Sequence, residues 1–238
     1  MGITNINYFM YGDKSSLDFG VWISGESTYA SPEKDVDTVS IPGRNGTLTL
    51  DNHRFQNVII PYNAFIVDDF ARNFDAFKAY LNSRKGYQKL ADTYHPDHFR
   101  LARFVSAIEP EMTQFNRHGK FVVNFDCDPR RFLNDGDRAK NVGNGEVLFN
   151  PTEFNAKPFI RAYGTGTFAI GSTAVQITSA NEYTDIDCEI QEAYKGNVNC
   201  NGNITLTDGK FPEFLPGNNQ ISFAGITRLE ITPRWWTI

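Results

Sequence analysis

The sequence has few cysteines, no long apolar run and no excess of basic residues. Its 238 residues include three cysteines, an odd number that argues against a disulfide framework. No apolar run approaches the roughly 20 residues that a membrane-spanning helix needs, and the amino terminus lacks the basic region and apolar stretch of a secretory signal. The net charge of −5 argues against nucleic acid as the main ligand. We therefore expect a chain that is made and folded in a cytoplasm, with neither nucleic acid nor membrane as a partner.

Motifs that would indicate an enzyme are also missing. No P-loop or nucleophile-elbow pattern occurs, and Gly164–Gly171 lacks the spacing of a dinucleotide-binding loop, so a hairpin turn is predicted there. His95 and His98 lie three residues apart, but Pro96 interrupts them and no further His or Cys lies nearby. We expect a solvated loop at this point. The sequence predicts no catalytic residue, no cofactor and no metal.

The cysteines follow an alternating apolar pattern. Cys188 has the same parity as Ile186 and Ile190, and Cys200 follows Val198 with the same spacing. In a strand, residues two apart point to one face, so these thiols are expected on the inward face. Buried, reduced thiols are the preferred interpretation, and a Cys188–Cys200 bridge is the alternative.

One helix and many strands are predicted. Between Asp68 and Lys85 the residues Phe70, Phe74, Phe77 and Leu81 form one stripe at the helical period. Most other apolar segments are rich in aromatic and β-branched residues and are bounded by Gly, Pro or Asn, which is typical of strands. The predicted strands cover residues 18–24, 36–41, 47–51, 57–67, 99–109, 119–127, 157–163, 165–170, 173–178, 183–191, 203–207, 220–224 and 226–232.

A change of composition divides the chain. Residues 134–145 contain almost no large apolar residue and many turn formers. We therefore predict a first domain over 1–138, a linker over 139–149 and a second domain over 150–238. The fold class is mainly β, with the helix in the first domain. The short, closely spaced strands of the second domain predict an antiparallel sandwich.

A hairpin is predicted around Pro42. Pro42-Gly43 and Asn45-Gly46 stand between two strand-like runs, and Asn-Gly is a strong hairpin signal. The flank over residues 29–38 is too polar for a core strand. A hairpin arm that projects from the body explains this composition, and an ordinary surface hairpin is the alternative.

Four groups of segments, in order along nearly the whole chain, resemble the distal tail proteins of long-tailed siphophages. They are Asp18–Ser24 with Tyr29 and Ile41–Gly46; Lys85–Leu90 with Asp92 and His95–Asp97; Asn150–Thr152 with Lys157–Ile160 and Tyr163–Gly166; and Phe211–Phe223 with Ile231–Trp236.

The resemblance implies a split-barrel amino-terminal domain and a galectin-like β-sandwich. It implies a homohexameric ring in the virion, at the distal end of the phage tail, that joins the tail tube protein to the tail-tip protein and, in many members, to receptor-binding proteins. Such a ring would assemble in the host cytoplasm. The candidate protomer interface is the arm, at Pro42, Gly43, Arg44, Asn45 and Gly46. This chain lacks the long insertion with which some members grip a large baseplate.

A carbohydrate-binding module is the alternative function. Galectin-like sandwiches bind sugars on exposed aromatic rings, and Trp235 and Trp236 are the candidate contacts. Apolar and charged residues alternate over 228–231, which predicts a half-buried final strand. At most one of the two adjacent indoles then faces outward.

Overall fold

The structure, a computed structural model, describes residues 6–25, 29–114 and 117–238. The chain divides between Arg131 and Phe132 into two compact units, and only Ile238 of the later chain belongs to the first. This division lies a few residues before the composition change that suggested a boundary at residue 138. Among the described residues, no helix is both long and apolar enough to cross a membrane.

The first unit is built on one antiparallel sheet. Its elements are β1 (Phe9–Tyr11), β2 (Lys14–Ser15), β3 (Val21–Ile23), β4 (Lys34–Ser40), β5 (Thr47–Phe55), β6 (Val58–Ile66), α1 (Phe70–Ser83), β7 (Gln88–Asp92), β8 (His98–Phe104), β9 (Glu111–Gln114) and β10 (His118–Leu133). The sheet order is β2-β1-β7-β8-β10-β6-β3, and β9 pairs with β10. The Ile23 N–H of β3, at one edge of the sheet, donates to the Asn7 carbonyl at 3.1 Å. Asn7 lies just before β1, which is next to the opposite edge of the sheet, so the two edges approach each other. The sheet is therefore curled into a half-barrel, as the fold class predicted.

Helix α1 covers the concave side of this sheet with the predicted stripe. Phe70, Phe74, Phe77 and Leu81 are buried, and Tyr80 joins them. Aromatic rings fill the core beneath the helix, where centroid distances near 5 Å are favourable. The Phe9 and Tyr62 rings lie 5.0 Å apart, and Phe9 meets Phe125 edge-on at 5.4 Å. The predicted strand over 18–24 is shorter in the structure, because residues 16–19 form a 3-10 helix.

The second unit contains two antiparallel sheets that share one core. Its strands are β11 (Lys140–Val142), β12 (Val147–Asn150), β13 (Phe159–Tyr163), β14 (Gly166–Ile170), β15 (Thr173–Ile177), β16 (Tyr183–Asp187), β17 (Glu192–Lys195), β18 (Val198–Asn199), β19 (Ile204–Leu206), β20 (Gly217–Ala224), β21 (Arg228–Thr232) and β22 (Trp236–Thr237). The sheet orders are β11-β21-β13-β16-β17-β18 and β12-β20-β14-β15-β19.

The segment predicted as a linker, residues 139–149, belongs to the second unit. It supplies β11 to one sheet and most of β12 to the other. Val142 and Leu148 bury their side chains in the core. Turn-forming residues surround Val142, whereas Leu148 lies in the short apolar run Val147–Phe149. A single valine and a run of three apolar residues are too short to show a period, so only the tertiary contacts reveal these strands.

All three cysteines are free thiols, and the alternative Cys188–Cys200 bridge is not formed. Cys127 and Cys188 are buried, whereas Cys200 is partly buried. Burial raises the pKa of the Cys127 thiol to about 12, and it raises the pKa of Cys188 as well. Ile190 does not share the inward face: β16 ends at Asp187, and Ile190 is 58% exposed in the following turn.

Replacing Cys188 with Ser is expected to destabilise the second unit modestly. The hydroxyl would enter a site that is 1% exposed, beside buried Ile186. A hydroxyl without a partner there costs about 1–3 kcal/mol, which thermal unfolding of Cys188→Ser against the wild type measures. Cys200→Ser, at a partly buried position, is the control with the smaller loss. A wild-type melting temperature that falls on addition of reductant would contradict the free thiols.

Candidate assembly surface

Strands β4 and β5 form a two-stranded ribbon, hereafter the arm (Lys34–Phe55). Within the described residues the arm pairs with no other strand, and every residue from Val36 to Arg54 is exposed. An isolated two-stranded hairpin is at best marginally stable in water. The predicted hairpin is present, and because its residues are exposed it projects from the half-barrel without contributing to its core.

The predicted interface residues lie in the loop at the tip of the arm. The Arg44 N–H donates to the Ile41 carbonyl at 3.1 Å, and Gly43 has φ +80°. Pro followed by Gly at positive φ is the pattern of a type II turn. The Pro-Gly dipeptide thus makes the turn, and Asn45-Gly46 completes the loop into β5.

The register of the arm gives it two unlike faces. Val39 lies opposite Leu48, and Leu50 lies opposite Asp37. Directly opposite residues of an antiparallel pair share a face, so Val39, Leu48 and Leu50 lie together, 46%, 41% and 52% exposed. The alternate positions Thr38, Ser40, Thr47 and Thr49 form a second, hydroxyl-rich face. We call the face that carries Val39, Leu48 and Leu50 the apolar face of the arm.

An ion pair fixes the root of the arm. The Arg54 Nε donates to Asp35 Oδ2 at 2.5 Å, across the pair of strands. This hydrogen bond lowers the pKa of the Asp35 carboxyl. The Gln56 N–H also donates to the Glu33 carbonyl at 2.9 Å, which closes the ribbon beside the barrel. The arm is therefore anchored at residues 33–35 and 54–56. Its second strand, β5, continues to Phe55, beyond the predicted end at residue 51.

The two tryptophans that were candidate sugar contacts behave differently. Trp235 is 2% exposed and packs edge-on against Phe214, so the prediction that it contacts sugar is wrong. The alternation that buries Leu229 continues to Trp235, which explains its inward orientation. Trp236 is partly buried: its ring stacks on Phe154 at 4.2 Å and its Nε1 donates to the Asn155 carbonyl. A sugar contact at Trp236 stays a prediction.

The predicted loop is present between β7 and β8, with Pro96 and Asp97 exposed. His95 and His98 are partly buried and line a small cavity of about 180 Å³ in the first unit. The His95 side chain is 20% exposed, and its Nδ1 lies 3.4 Å from Asp92 Oδ1. Burial lowers the pKa of His98, and the nearby Arg131 lowers it further. The described residues contain no group of three His, Cys, Asp or Glu side chains that could hold a metal.

A half-buried ion pair secures the last loop of the second unit. Both Arg234 Nη atoms donate to the Asp187 carboxylate, at 2.7 and 2.9 Å. The Arg234 N–H donates to the Gly136 carbonyl at 2.7 Å, and its backbone has φ +60°. Burial is the largest single influence and opposes ionisation of Asp187. The hydrogen bonds and charge of Arg234, together with backbone hydrogen bonds from Glu189 and Ile190, outweigh it and lower the pKa of this carboxyl.

This pair predicts a pH-dependent contribution to stability. A carboxylate whose pKa is lowered by folding stabilises the folded state above its unfolded pKa, about 3.9, and loses this contribution as the pH falls through the folded value. We expect Asp187→Asn to lower the free energy of unfolding by about 1–3 kcal/mol at pH 7. The difference from wild type should shrink below pH ~4. Urea titrations at pH 7 and below pH ~4 measure the loss of unfolding free energy, and Asp208→Asn, at an exposed position, is the control. An equal loss for Asp187→Asn at the two pH values would contradict a stabilising charge on Asp187.

The half-barrel with one helix, followed along the chain by a two-sheet unit, is a fold that this chain shares with a phage hub protein of solved structure. The SPP1 Dit protein, described as a paradigm of the hub adsorption apparatus in phages that infect Gram-positive bacteria, superposes with a TM-score of 0.75 and 14% sequence identity. The alignment covers 95% of this chain and 98% of that chain. The resemblance read from the sequence is thereby confirmed for the fold.

Baseplate chains of phage P2 are more distant relatives of the fold. In the activated conformation with Ca they give a TM-score of 0.57 at 10% identity, over 96% of this chain and 97% of that chain. With Sr the TM-score is 0.56 at 10% identity, over 95% and 97%. No model of a protein family matches the sequence, and no curated protein matches it.

Proposed function

We propose that this protein forms a ring-shaped hub at the distal end of a phage tail and connects the tail tube to the tail-tip apparatus that adsorbs to the host. The observation that carries the proposal is the superposition of both units on a phage hub protein over nearly the full length of each chain. Superposition of one unit alone would support a common domain, whereas superposition of both supports a common assembly role.

The exposed arm supports self-assembly. A ribbon with free edges and an uncovered face invites pairing with another chain. Contact between unlike surfaces of identical chains is heterologous, and such contacts generate closed rings or open filaments. The number six is taken from the resembling family. The proposed partners are five further copies, the tail tube protein, the tail-tip protein and, if the ring carries them, receptor-binding proteins.

The role is structural rather than enzymatic, since the hub and baseplate proteins that share the fold are structural components. We further propose that the second unit is a galectin-like sandwich and that the assembled protein resides in the virion.

Negative-stain images of the purified protein test the proposal. A six-fold ring with an open centre is the expected result, with a mass by light scattering near six times the 26.9 kDa of one chain. A monomer at every concentration in the micromolar range, in the presence and absence of the tail tube protein, would overturn it.

The first unit is expected to carry ring formation by itself. It has its own core and the arm, and compact units with such cores usually fold alone. A protein that ends at Arg131 should therefore remain oligomeric by light scattering. A folded monomer would show instead that the second unit carries the contact between protomers.

A further inference from the structure

We propose that the cavity beside the histidine pair binds a small oxyanion, a phosphate or a carboxylate. Every described residue that lines this cavity belongs to the first unit, so the site is complete within one chain. The inference therefore goes beyond the proposed hub and does not depend on it. It rests on the partners, the charge and the size of the cavity.

Two nitrogen atoms in the lining residues have no partner. Arg131 Nε and His95 Nε2 are buried, and no described residue forms a hydrogen bond with either of them. Buried polar groups in folded proteins are nearly always hydrogen-bonded. A buried guanidinium N–H without an acceptor is costly, and a charged acceptor offsets this cost best. The two atoms therefore indicate a ligand that the chain does not supply.

The lining of the cavity carries excess positive charge. Arg100 and Arg131 contribute two cations, and Asp92 is the one acidic side chain among the described lining residues. Burial lowers the pKa of Arg100, as expected for a cation that water solvates poorly. An oxyanion in the cavity would neutralise this excess.

The Asp92 carboxylate is occupied by other donors. Its Oδ2 accepts a hydrogen bond from the Tyr62 hydroxyl at 2.6 Å, and its Oδ1 accepts one from the His95 backbone N–H at 2.8 Å. Arg100 donates from Nη1 to the Pro129 carbonyl, a neutral acceptor, at 3.1 Å. The site thus keeps cationic donors available for an anion from outside the chain.

The cavity has the size and the surroundings that such a ligand needs. Its volume of about 180 Å³ holds several water-sized groups, since one water occupies about 30 Å³. Ile60, Leu90 and Phe99 form an apolar part of the wall, and all three are buried. Apolar surroundings strengthen the attraction between an anion and the guanidinium groups.

The cavity reaches the surface beside the segment that leads into the arm. Tyr29 and Ser31 line it and are exposed, and the Tyr29 ring packs edge-on against His95 at 5.2 Å between centroids. A small anion can therefore enter without unfolding of the half-barrel.

Isothermal titration calorimetry of the full chain tests the site. Sodium phosphate and sodium acetate are titrated separately, with sodium chloride holding the ionic strength constant. We expect saturable binding of one anion per chain for phosphate, acetate or both, and the response identifies the preferred class. Arg131→Met should weaken this binding about 10- to 100-fold, because it removes charged hydrogen bonds. Arg72→Met, which changes the net charge equally at a side chain that is 85% exposed, is the matched control.

Thermal unfolding separates a binding role of Arg131 from a structural one. In chloride, Arg131→Met should melt at or above the wild-type temperature, because an apolar side chain replaces a cation without a partner. In the bound anion the order should reverse, since only the wild type gains stability from the ligand. A variant that melts below wild type by the same margin in both salts would overturn the inference.

A second variant covers the case in which Arg131→Met does not fold. His95→Phe keeps an aromatic ring beside Tyr29 and removes the unpartnered Nε2, so it should also weaken anion binding. Absence of saturable binding to the wild type by either anion in the millimolar range would overturn the inference, as would binding that His95→Phe leaves unchanged.

Discussion

Replacement of the whole arm, Lys34–Phe55, by a short Gly-Ser turn is expected to yield a folded protomer that no longer assembles. The arm contributes no buried side chain from Val36 to Arg54, so its loss leaves the core around Phe9 and Phe125 intact. The same loss removes one side of every contact in a ring, because the ring repeats a single contact. A specific interface usually buries more than about 1,000 Å² in total, of which a strand pair some 25 Å long supplies a large share.

Light scattering and thermal unfolding together measure this effect. The variant should have the mass of a monomer. Its melting temperature should lie within a few degrees of that of the wild-type protein at dilutions where the ring dissociates. Its control replaces only the tip, residues 41–46, by Asn-Gly, which keeps both faces of the ribbon. Rings that survive deletion of the arm would refute its role, and loss of rings in the tip variant alone would place the contact at Pro42–Gly46.

The largest effect on folding is expected at Gly166. A Cβ atom at this position would lie 2.2 Å from the Ala224 carbonyl oxygen and 2.9 Å from two backbone atoms of Gly225. These backbone atoms, at the end of β20 and in the bend that follows it, cannot move aside as a flexible side chain can. The backbone of Gly166 also has φ +150°, which residues with a side chain rarely adopt. Gly166→Ala should cost about 3–5 kcal/mol, as crowding and backbone strain add.

Gly171 provides a control within the same hairpin. It has φ +58° but open space where a Cβ would stand. Gly171→Ala therefore isolates the cost of the left-handed backbone, about 1–2 kcal/mol. Urea unfolding of the second unit compares the two variants. Equal losses would show that the β14–β20 contact accommodates the added methyl group.

The elements with strong local periodicity were predictable from the sequence. The stripe of α1 needs only the spacing of Phe70, Phe74, Phe77 and Leu81, and the buried face of β10 needs only the alternation over 119–127. Short strands such as β1, β7 and β17 escaped prediction, because three to five residues of mixed character carry no clear period. The segment over 139–149 escaped for the same reason, because Val142 alone and the three-residue run Val147–Phe149 are too short to show a period.

The candidate assembly surface was likewise only partly predictable from the sequence. Pro42-Gly43 and the polar flanks were enough to predict a projecting hairpin, since turn chemistry is local. The apolar face was invisible, because Val39, Leu48 and Leu50 come together only when the register of β4 against β5 is fixed. A shift by one residue would send Leu48 and Leu50 to the hydroxyl-rich face.

The sequence by itself thus determined the secondary-structure class, the helix, the existence of the arm and the resemblance to phage tail proteins. Only the tertiary structure decided which residues face each other across strands, that Trp235 is a core residue, and that one face of the arm is apolar. Local patterns specify how each segment buries its own apolar side chains. The pairing of distant segments depends on contacts between residues far apart in the chain, which no local pattern encodes.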